Sequence, residues 1–434
     1  MGKRIPVITV AEPAAAARLA SLPVEAHVAL ADVAGAIKDG LLAFASATGL
    51  LVMHQLMEAE LTRLIGPRHA RVPGRRASRH GSTSGSVVLG GRKVRATRPR
   101  GRTREGTEIA LDSWAVFSST DLLDQVIMER MLAGVATRRH ADVAEPLGPE
   151  LEARSSATSR SAVSRRFVRA TRRALDELMA RDLSDLDAAV LMLDGIVVAG
   201  QCCVAALAIT ADGRKVPVGL WLGDTENATV VTGLLADLVA RGLSAEGGLL
   251  VVIDGAKALA AGVRRVFGEA ALVQRCTLHK RRDVAGYLPQ EFAGRIDRRL
   301  AAAFAQPDPE RGLARARAIA SQLEAGHPDA AASLREGLAD MFTVRRLGVE
   351  GRLARTLTST NPIESMISVA RTTMGHVKRW RDGTMKKRWL AAGVLEAERS
   401  FRRVKGTREM PVLVAALRRH GAGVAGTTHH EDAA

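Results

Sequence analysis

The class of fold is decided by one stretch, AAVLMLDGIVV at residues 188–198. Its apolar and β-branched residues are typical of a buried β-strand. Asp194 interrupts this run, and a carboxylate buried in such a strand without a partner costs free energy. The segment therefore predicts a strand whose single acidic residue needs a partner or a function.

Similar short apolar runs follow and predict a sheet with helices packed against it. Together with 188–198, the segments Cys202 to Thr210 and Lys215 to Leu222 form three consecutive antiparallel strands. The next segments are a helix at Thr225 to Arg241, a strand at Gly248 to Ile253, a helix at Lys257 to Phe267 and a strand at Ala271 to Gln274. The order β-β-β-α-β-α-β predicts an α/β fold.

Two more carboxylates stand at comparable places. Asp254 ends an apolar strand and is followed by glycine, as Asp194 is. Glu364 follows Asn361 and Pro362, a candidate N-cap and first helical residue. An Asp-Gly turn explains either aspartate alone, and a capping box explains the glutamate. The same positions also present carboxylates at the mouth of an open sheet.

Three carboxylates are suited to phosphoryl transfer on DNA. Mg²⁺ prefers hard oxygen ligands and is bound through a few carboxylates, water and substrate phosphate. Two ions about 4 Å apart activate the attacking oxygen and stabilise the leaving one. The sequence therefore predicts a metal-dependent reaction that needs no covalent nucleophile.

The charge of the chain indicates a polyanionic partner. The 434 residues include 63 Lys and Arg against 46 Asp and Glu, a net charge of +17. Between Pro67 and Arg104 there are twelve basic residues and no acidic one, which suits a nucleic-acid backbone. A solvated basic linker is the alternative. Within this segment, apolar runs around Gly90-Gly91 predict a hairpin.

Composition argues against a membrane or secreted protein. Charges interrupt the apolar residues, so no run reaches the roughly 18 residues of a membrane span. Val24 to Ile65 predicts amphipathic helices instead. Three cysteines, two of them adjacent at Cys202 and Cys203, allow no disulfide framework. We expect a cytoplasmic protein of two or three domains.

A helical region precedes the sheet and permits a helix-turn-helix. Its segments are Ser119 to Ala133, Thr137 to Glu145 and Thr158 to Met179. In the third, Arg165 and Arg169 are expected to face outward, where a recognition helix contacts phosphates and base edges. Basic amphipathic helices of other kinds have the same pattern, so both interpretations stay open.

The chain resembles bacterial insertion-sequence transposases of the mutator type, between about residues 50 and 405. The motifs are RHG at 79–81, GSVVLGG at 85–91, LDGIVV at 193–198, TENATVV at 225–231, VVIDG at 251–255, QRCTLHKRRD at 274–283 and STNPIES at 359–365. The resemblance implies a DDE enzyme with an RNase H-like core. In it, Asp194, Asp254 and Glu364 are the catalytic and metal-binding residues, and two Mg²⁺ ions, replaceable by Mn²⁺, are the cofactors.

The resemblance also implies a domain organisation. An all-helical insertion separates the sheet from the helix that carries the third carboxylate. The predicted parts are an N-terminal helical region (1–66), a basic, helix-turn-helix-like DNA-binding region (67–185), the first part of the core (186–278), the insertion (279–357), the final core helix (358–405) and a flexible tail (406–434).

Several further residues are predicted to contact DNA or assist the active site. They are Arg98, Arg100, Arg165, Arg169, Arg275, His279, Lys280, Lys378 and Arg379. His279 belongs to a Cys-x-x-His pair with Cys276, which recurs in the family. A zinc site is the alternative for that pair; it needs two more ligands, and the adjacent Cys202 and Cys203 point to opposite faces of a strand.

The function implied is that of a transposase that binds the terminal inverted repeats of its element, cleaves there and joins the ends to target DNA. Bringing two ends together favours a homodimer, and the expected location is the cytoplasm, at the nucleoid. A decayed or domesticated transposase that only binds DNA is one alternative. A nuclease or resolvase with the same core is another.

Overall fold

The computed structural model describes residues 24–70, 74, 76–156, 159–223 and 227–431, with side chains between residues 40 and 424 of these ranges. Residues 1–23, Arg71, Arg75 and the predicted helix starts at Thr158 and Thr225 lie outside them. The described residues form two compact units: one comprises those up to 131 with 135–167, and the other comprises 132–134 with those from 168 onwards. Each contains a β-sheet and helices, as an α/β fold requires.

The first unit is built on a long helix and a basic hairpin. Helix α1 (Val24–Ile65) is continuous over 42 residues, where the sequence predicted several helices. Strands β1 (Ala77–Leu89) and β2 (Arg92–Thr103) pair antiparallel around Gly90 and Gly91, which confirms the predicted hairpin. Both glycines have positive φ, as the tight turn between twisted strands requires.

The C-terminal end of α1 is packed, while large apolar residues near the middle of the helix are exposed. Met57, Leu61 and Ile65 are buried in a cluster with residues of the hairpin and the segment that follows it. Leu41 and Phe44, by contrast, are 66% and 70% exposed. By length and composition alone, Gly40–Ile65 is sufficient to cross a membrane. The absence of a membrane span therefore stays a prediction.

The prediction of a middle helix in the helix-turn-helix is wrong. Thr137–Arg139 form one 3-10 turn, and irregular turns continue to Gly148. Val143, the one large apolar residue of the predicted helix, is 41% exposed, so the segment has no apolar stripe to bury. The remaining elements are α2 (Asp112–Ser118), α3 (Asp121–Leu132), α4 (Pro149–Ala153), β3 (Ser155–Ser156) beside β2, and α5 (Arg160–Ala180), which crosses the boundary between the units.

The second unit contains the five-stranded sheet that the sequence predicted. Its elements are β4 (Ala188–Val198), β5 (Gln201–Thr210), β6 (Lys215–Gly223), α6 (Ala228–Ala240), β7 (Leu249–Ile253), α7 (Lys257–Phe267) and β8 (Ala271–Arg275). The strands lie in the order β6-β5-β4-β7-β8. The first three are antiparallel, while β4, β7 and β8 run parallel. The predicted order of strands and helices is confirmed.

Alternation along the strands assigns the two faces of the sheet. Leu191, Leu193, Val251 and Ile253 point to one face, where they share a buried cluster with residues of α6 and α7. The intervening residues point to the opposite face. The final helices of the chain contact the strands there.

The stretch between the sheet and the final helices is helical throughout, as predicted. It comprises α8 (Thr277–Gly286), α9 (Gln290–Phe304), α10 (Pro309–Leu323), α11 (Pro328–Arg335), α12 (Thr343–Arg346) and α13 (Gly351–Leu357). Apolar residues of its helices, among them Leu300, Leu313, Leu334 and Phe342, form a core of their own. The insertion is therefore packed independently of the sheet's core.

Three helices complete the second unit: α14 (Asn361–Met374), α15 (Gly383–Arg399) and α16 (Met410–Glu431). The flexible tail predicted for 406–434 is wrong where α16 forms. Met410, Leu413 and Leu417 are buried, and their spacing places them on one face of the helix. Gly and Ala around them concealed this short stripe in the sequence.

Helices α14 and α15 cross in close contact through small residues. A Cβ added to Gly393 would lie 2.6 Å from Thr373 Oγ1 and 2.8 Å from Ala370 Cα. The backbones can approach this closely only because Gly393 has no side chain. Trp389, one turn earlier, is buried, with 6% of its surface exposed.

We predict that Gly393→Ala destabilises the second unit by about 1–3 kcal/mol, because overpacking outweighs the gain in helix propensity. Denaturant unfolding measures the change. Gly294→Ala on α9, where the new methyl group meets nothing closer than 3.8 Å, is the control and should stabilise by up to about 1 kcal/mol. Equal shifts for both variants would contradict the close crossing.

Candidate active site

Strand register brings two of the predicted carboxylates to the same level. Met192 of β4 pairs in parallel with Val252 of β7. Asp194 and Asp254, each two residues further on, therefore follow the paired residues of these neighbouring strands at matching positions. Both belong to the set of residues that points away from α6 and α7, towards the face where α14 contacts β4.

Backbone amides hold both aspartates. Asp194 Oδ1 accepts a hydrogen bond of 2.9 Å from the amide of Gly195. Asp254 Oδ1 accepts from the amides of Gly255 at 2.5 Å and Ala256 at 2.8 Å. The bonds to Asp254 are those of an aspartate that organises a turn. Asp254 can therefore both organise a turn and belong to a site. The local bonds of both aspartates use Oδ1, so the Oδ2 atoms remain available to other partners.

The carboxylate of Glu364 is oriented by Thr360. Helix α14 begins at Asn361 after Thr360, so Asn361 is not the N-cap and the predicted capping box is wrong. The Thr360 hydroxyl donates to Glu364 Oε1 at 2.5 Å, and the Thr360 carbonyl accepts from the Glu364 amide at 2.9 Å. The carboxylate is therefore oriented by a side chain and is free of a capping role.

The charges of the three carboxylates act on one another. Burial and, after it, the negative charges of Asp254 and Glu364 together raise the pKa of Asp194 to about 7, against the effect of His279. Within the described parts of the chain, no three His, Cys, Asp or Glu side chains converge closely enough to hold a metal ion as they stand. The triad is thus joined by electrostatic interaction.

His279 supplies positive charge beside the carboxylates. Its Nδ1 lies 3.9 Å from Glu364 Oε1 and 3.3 Å from Thr360 Oγ1. A hydrogen bond with Cys276 raises the pKa of His279 to about 9, against the effect of burial, with smaller contributions from Glu364 and Asp254. A histidine with this pKa is an imidazolium at neutral pH.

Cys276 belongs to the same network. It directly follows β8, its amide donates to the Ile253 carbonyl at 2.8 Å, and Thr360 Oγ1 lies 3.5 Å from its sulfur. The second pair of ligands that a zinc site needs is not found among the residues that the structure describes. Thr360 was missed in the sequence, where it is one of three hydroxyl residues before Asn361.

Comparison with known proteins identifies the family. The profile described as Transposase, Mutator family, matches residues 24–403. The chain belongs to the Mutator family of transposases. This confirms the resemblance indicated by the motifs, and it makes the protein a member of a family of nucleic-acid-processing enzymes that bind DNA.

Two groups of relatives illustrate the range of similarity. A probable transposase for an insertion sequence element of Corynebacterium diphtheriae is 27% identical over 289 residues, 65% of this chain and 82% of the relative. The ISRM3-like probable transposase of Sinorhizobium fredii and the ISRM3 transposase of Rhizobium meliloti are each 30% identical over 116 residues, 27% of this chain and 28% of either relative.

In this transposase, Arg275 and Lys280 are not surface residues. Arg275 donates to Glu336 at 2.7 Å, to Asp340 at 3.2 Å and to the Gly255 carbonyl at 3.2 Å. Lys280 donates to the other oxygen of Glu336 at 3.2 Å. The two side chains are 6% and 3% exposed, so the prediction of direct DNA contact is wrong for both. An auxiliary role remains, because Arg275 holds the residue after Asp254.

The insertion leaves room for this arginine. A Cβ on Gly337 would lie 2.4 Å from Arg275 Cζ, and Gly337 has a φ of +62°. The partners Glu336 and Asp340 are more than 60 residues further along the chain than Arg275. No local sequence signal could have identified this ion-pair cluster, which fastens the insertion to the edge of the sheet.

The other predicted DNA contacts differ in their surroundings. Arg165, Arg169, Lys378 and Arg379 are exposed. Arg98 and Arg100, by contrast, both pair with Glu108 at 2.6 Å and are 24% and 21% exposed. Glu108 therefore neutralises one of the two positive charges that Arg98 and Arg100 were predicted to offer to the DNA backbone.

We predict that Arg275→Ala destabilises the second unit by about 3 kcal/mol or more, because it leaves Asp340 without its buried partner and Glu336 with Lys280 alone. Chemical denaturation gives the value. Arg346→Ala, which removes a pair whose side chains are 39% and 68% exposed, should cost less than about 1 kcal/mol. A small effect of both variants would mean that the cluster does not hold the insertion.

We also predict that Asp194→Asn raises the melting temperature by several degrees at pH 8 and not at pH 4, in the absence of divalent metal. The folded pKa of about 7 lies above the ordinary 3.8, so folded wild type is progressively destabilised as pH rises between these values, and the loss is complete above 7. The asparagine variant escapes that loss. A difference independent of pH would argue against the assigned pKa.

Proposed function

We propose that this transposase binds the terminal inverted repeats of an insertion sequence and catalyses metal-dependent DNA cleavage and strand transfer at Asp194, Asp254 and Glu364. The observation that carries the proposal is the grouping of these carboxylates around one position: burial and the negative charges of Asp254 and Glu364 raise the pKa of Asp194 to about 7, and His279 lies 3.9 Å from Glu364. Such uncompensated negative charge is costly in a fold and suits a site that binds cations.

The order of elements supports an RNase H-like core. Three antiparallel strands precede α6, β7, α7 and β8, and the helical insertion stands between β8 and α14. This is the order that the resemblance implies for that core and for its interruption. The first two carboxylates then come from adjacent strands, and the third comes from the helix beyond the insertion.

The donor set fits magnesium. Asp194, Asp254 and Glu364 would hold two Mg²⁺ ions, with Mn²⁺ as a substitute, since all three offer hard oxygen ligands. When bound, the ions activate the attacking oxygen and stabilise charge on the leaving one. The protein's own residues prepare the site: the amides of Gly195 and Gly255 orient the aspartates, and Thr360 orients the glutamate.

The proposed chemistry has two stages. Water attacks the phosphodiester at the element end, so that one phosphorus–oxygen bond forms as another breaks and a 3′-hydroxyl is released. That hydroxyl then attacks a phosphodiester of target DNA and displaces a second 3′-hydroxyl. The imidazolium of His279 lies beside the carboxylates, where it attracts the phosphate that both stages require.

Binding of DNA is proposed to use exposed basic residues. Arg165 and Arg169 on α5, and Lys378 and Arg379 after α14, are accessible to phosphates. A homodimer would bring two element ends together, and the proposed location is the cytoplasm, at the nucleoid. The helix-turn-helix assignment loses its middle helix, so α5 alone carries the proposed recognition surface.

We predict that Asp194→Asn, Asp254→Asn and Glu364→Gln each lower cleavage of labelled element-end DNA in Mg²⁺ by 100-fold or more, because each removes a negatively charged oxygen ligand of the proposed metal ions. Each tenfold loss corresponds to about 1.4 kcal/mol of transition-state stabilisation. DNA binding should stay within about twofold. The matched control is Glu291→Gln, another first-turn glutamate that is exposed, and it should behave as wild type.

Three outcomes would contradict the proposal. Full activity of the three variants would exclude the carboxylates from the reaction. An inactive wild type that still binds its element ends would support a decayed transposase that acts only as a DNA-binding protein. Cleavage without joining, in the presence of target DNA, would instead indicate a nuclease.

A further inference from the structure

A large cationic cavity lies in the second unit, lined in part by residues of the motif at 359–365 but not by the three carboxylates. Its volume is about 820 Å³. It is formed where α13, the start of α14, the start of β6 and the segment after α15 meet. The lining residues are Lys215, Arg352, Arg355, Thr356, Asn361, Pro362, Ser365, Arg402, Arg403, Val404 and Lys405.

Most of the positive charge in this cavity is not neutralised by the protein. Arg403 pairs with Asp212 at 3.2 Å, and Lys215 Nζ lies 4.6 Å from the centre of the Phe401 ring. The other four cations form no ion pair with the residues that the structure describes, and all four are exposed: Arg352, Arg355, Arg402 and Lys405. Six cations around one cavity repel one another unless an anion binds between them.

The cavity adjoins the helical turn that carries Glu364. Asn361, Pro362 and Ser365 of α14 contribute to its wall. Ser365 follows Glu364 directly and lies about 100° further round the helix. The wall of the cavity and the side chain of Glu364 are therefore neighbouring faces of one helical turn.

The chemistry of the lining selects a phosphate backbone. Cavities that bind small molecules are lined mainly by apolar and aromatic side chains, whereas here arginine and lysine predominate. Arginine binds phosphate oxygens through paired N–H donors. The cations also come from three separate segments, at 215, at 352–355 and at 402–405, so they surround an extended anion from several sides.

We propose that this cavity binds the phosphodiester backbone of a DNA strand beside the Glu364 side of the active site. The inference rests on the proposed function, and it adds the place where a strand is held against the catalytic edge. The element end and the target DNA offer the same backbone chemistry, and the two sources are distinguished by the reaction that depends on the cavity.

The first test measures DNA binding without chemistry. Binding of a short duplex to wild type and to the double variant Arg352→Gln with Arg355→Gln is followed between 50 and 200 mM salt in the presence of EDTA. Each lost phosphate contact reduces the slope of log affinity against log salt by about 1. We expect a reduction of about 2, with an unchanged melting temperature, since both side chains are exposed.

The control removes the same charge elsewhere in the unit. Arg311→Gln with Arg317→Gln on α10 takes away two exposed arginines of the insertion, and its salt slope should equal that of wild type. A second variant, Arg402→Gln with Lys405→Gln, removes two cations from another wall of the cavity and should also lower the slope. Slopes equal to wild type for both cavity variants would overturn the proposal.

The second test identifies the strand. Loss of hydrolysis at the element end by the cavity variants assigns the cavity to the element's own DNA. Normal hydrolysis with at least tenfold weaker joining of precleaved ends assigns it to target DNA. Because the salt slope needs no catalysis, an inactive wild type refutes the proposed function while the binding test still decides the cavity.

Discussion

Two carboxylates at the same level of adjacent parallel strands repel each other, and the surrounding residues are arranged around that repulsion. The register of β4 and β7 fixes Asp194 beside Asp254. Backbone amides and the imidazolium of His279 offset part of the negative charge. Burial on the face beneath the final helices prevents water from screening the rest, and Asp194 therefore has a pKa near neutrality.

The helical insertion stabilises the same edge of the sheet from another direction. Arg275 ends β8, reaches the carbonyl of Gly255 and pairs with Glu336 of the insertion. The insertion has its own apolar core, and it is also attached to β8 by hydrogen bonds from Gln274 to the Met341 carbonyl and from Thr343 to the Val273 carbonyl. Displacing the insertion would move the loop after Asp254. The position of the insertion and the geometry of the proposed metal ligands are therefore linked.

The sequence predicted what depends on local pattern. Alternation and β-branched runs identified all five strands of the second unit, and carboxylates that interrupt or end apolar strands selected Asp194 and Asp254 as candidates. It failed where partners are distant, because the acidic residues that bury Arg275 lie more than 60 positions away. It also failed where a pattern was weak: Thr137 to Glu145 has the polarity of a surface helix without a stripe to anchor it, and α16 has a stripe concealed by Gly and Ala.

The hydroxyl of Thr360 sets the donor-to-acceptor direction of a short chain of hydrogen bonds. It carries one hydrogen and donates it to Glu364 at 2.5 Å, so its oxygen must act as acceptor towards His279 Nδ1, which is protonated in an imidazolium. The chain thus runs from the histidine through the threonine to the glutamate. A valine of the same shape would break this chain of hydrogen bonds with little change in side-chain volume. The hydroxyl therefore serves the direction of hydrogen bonding and not the packing.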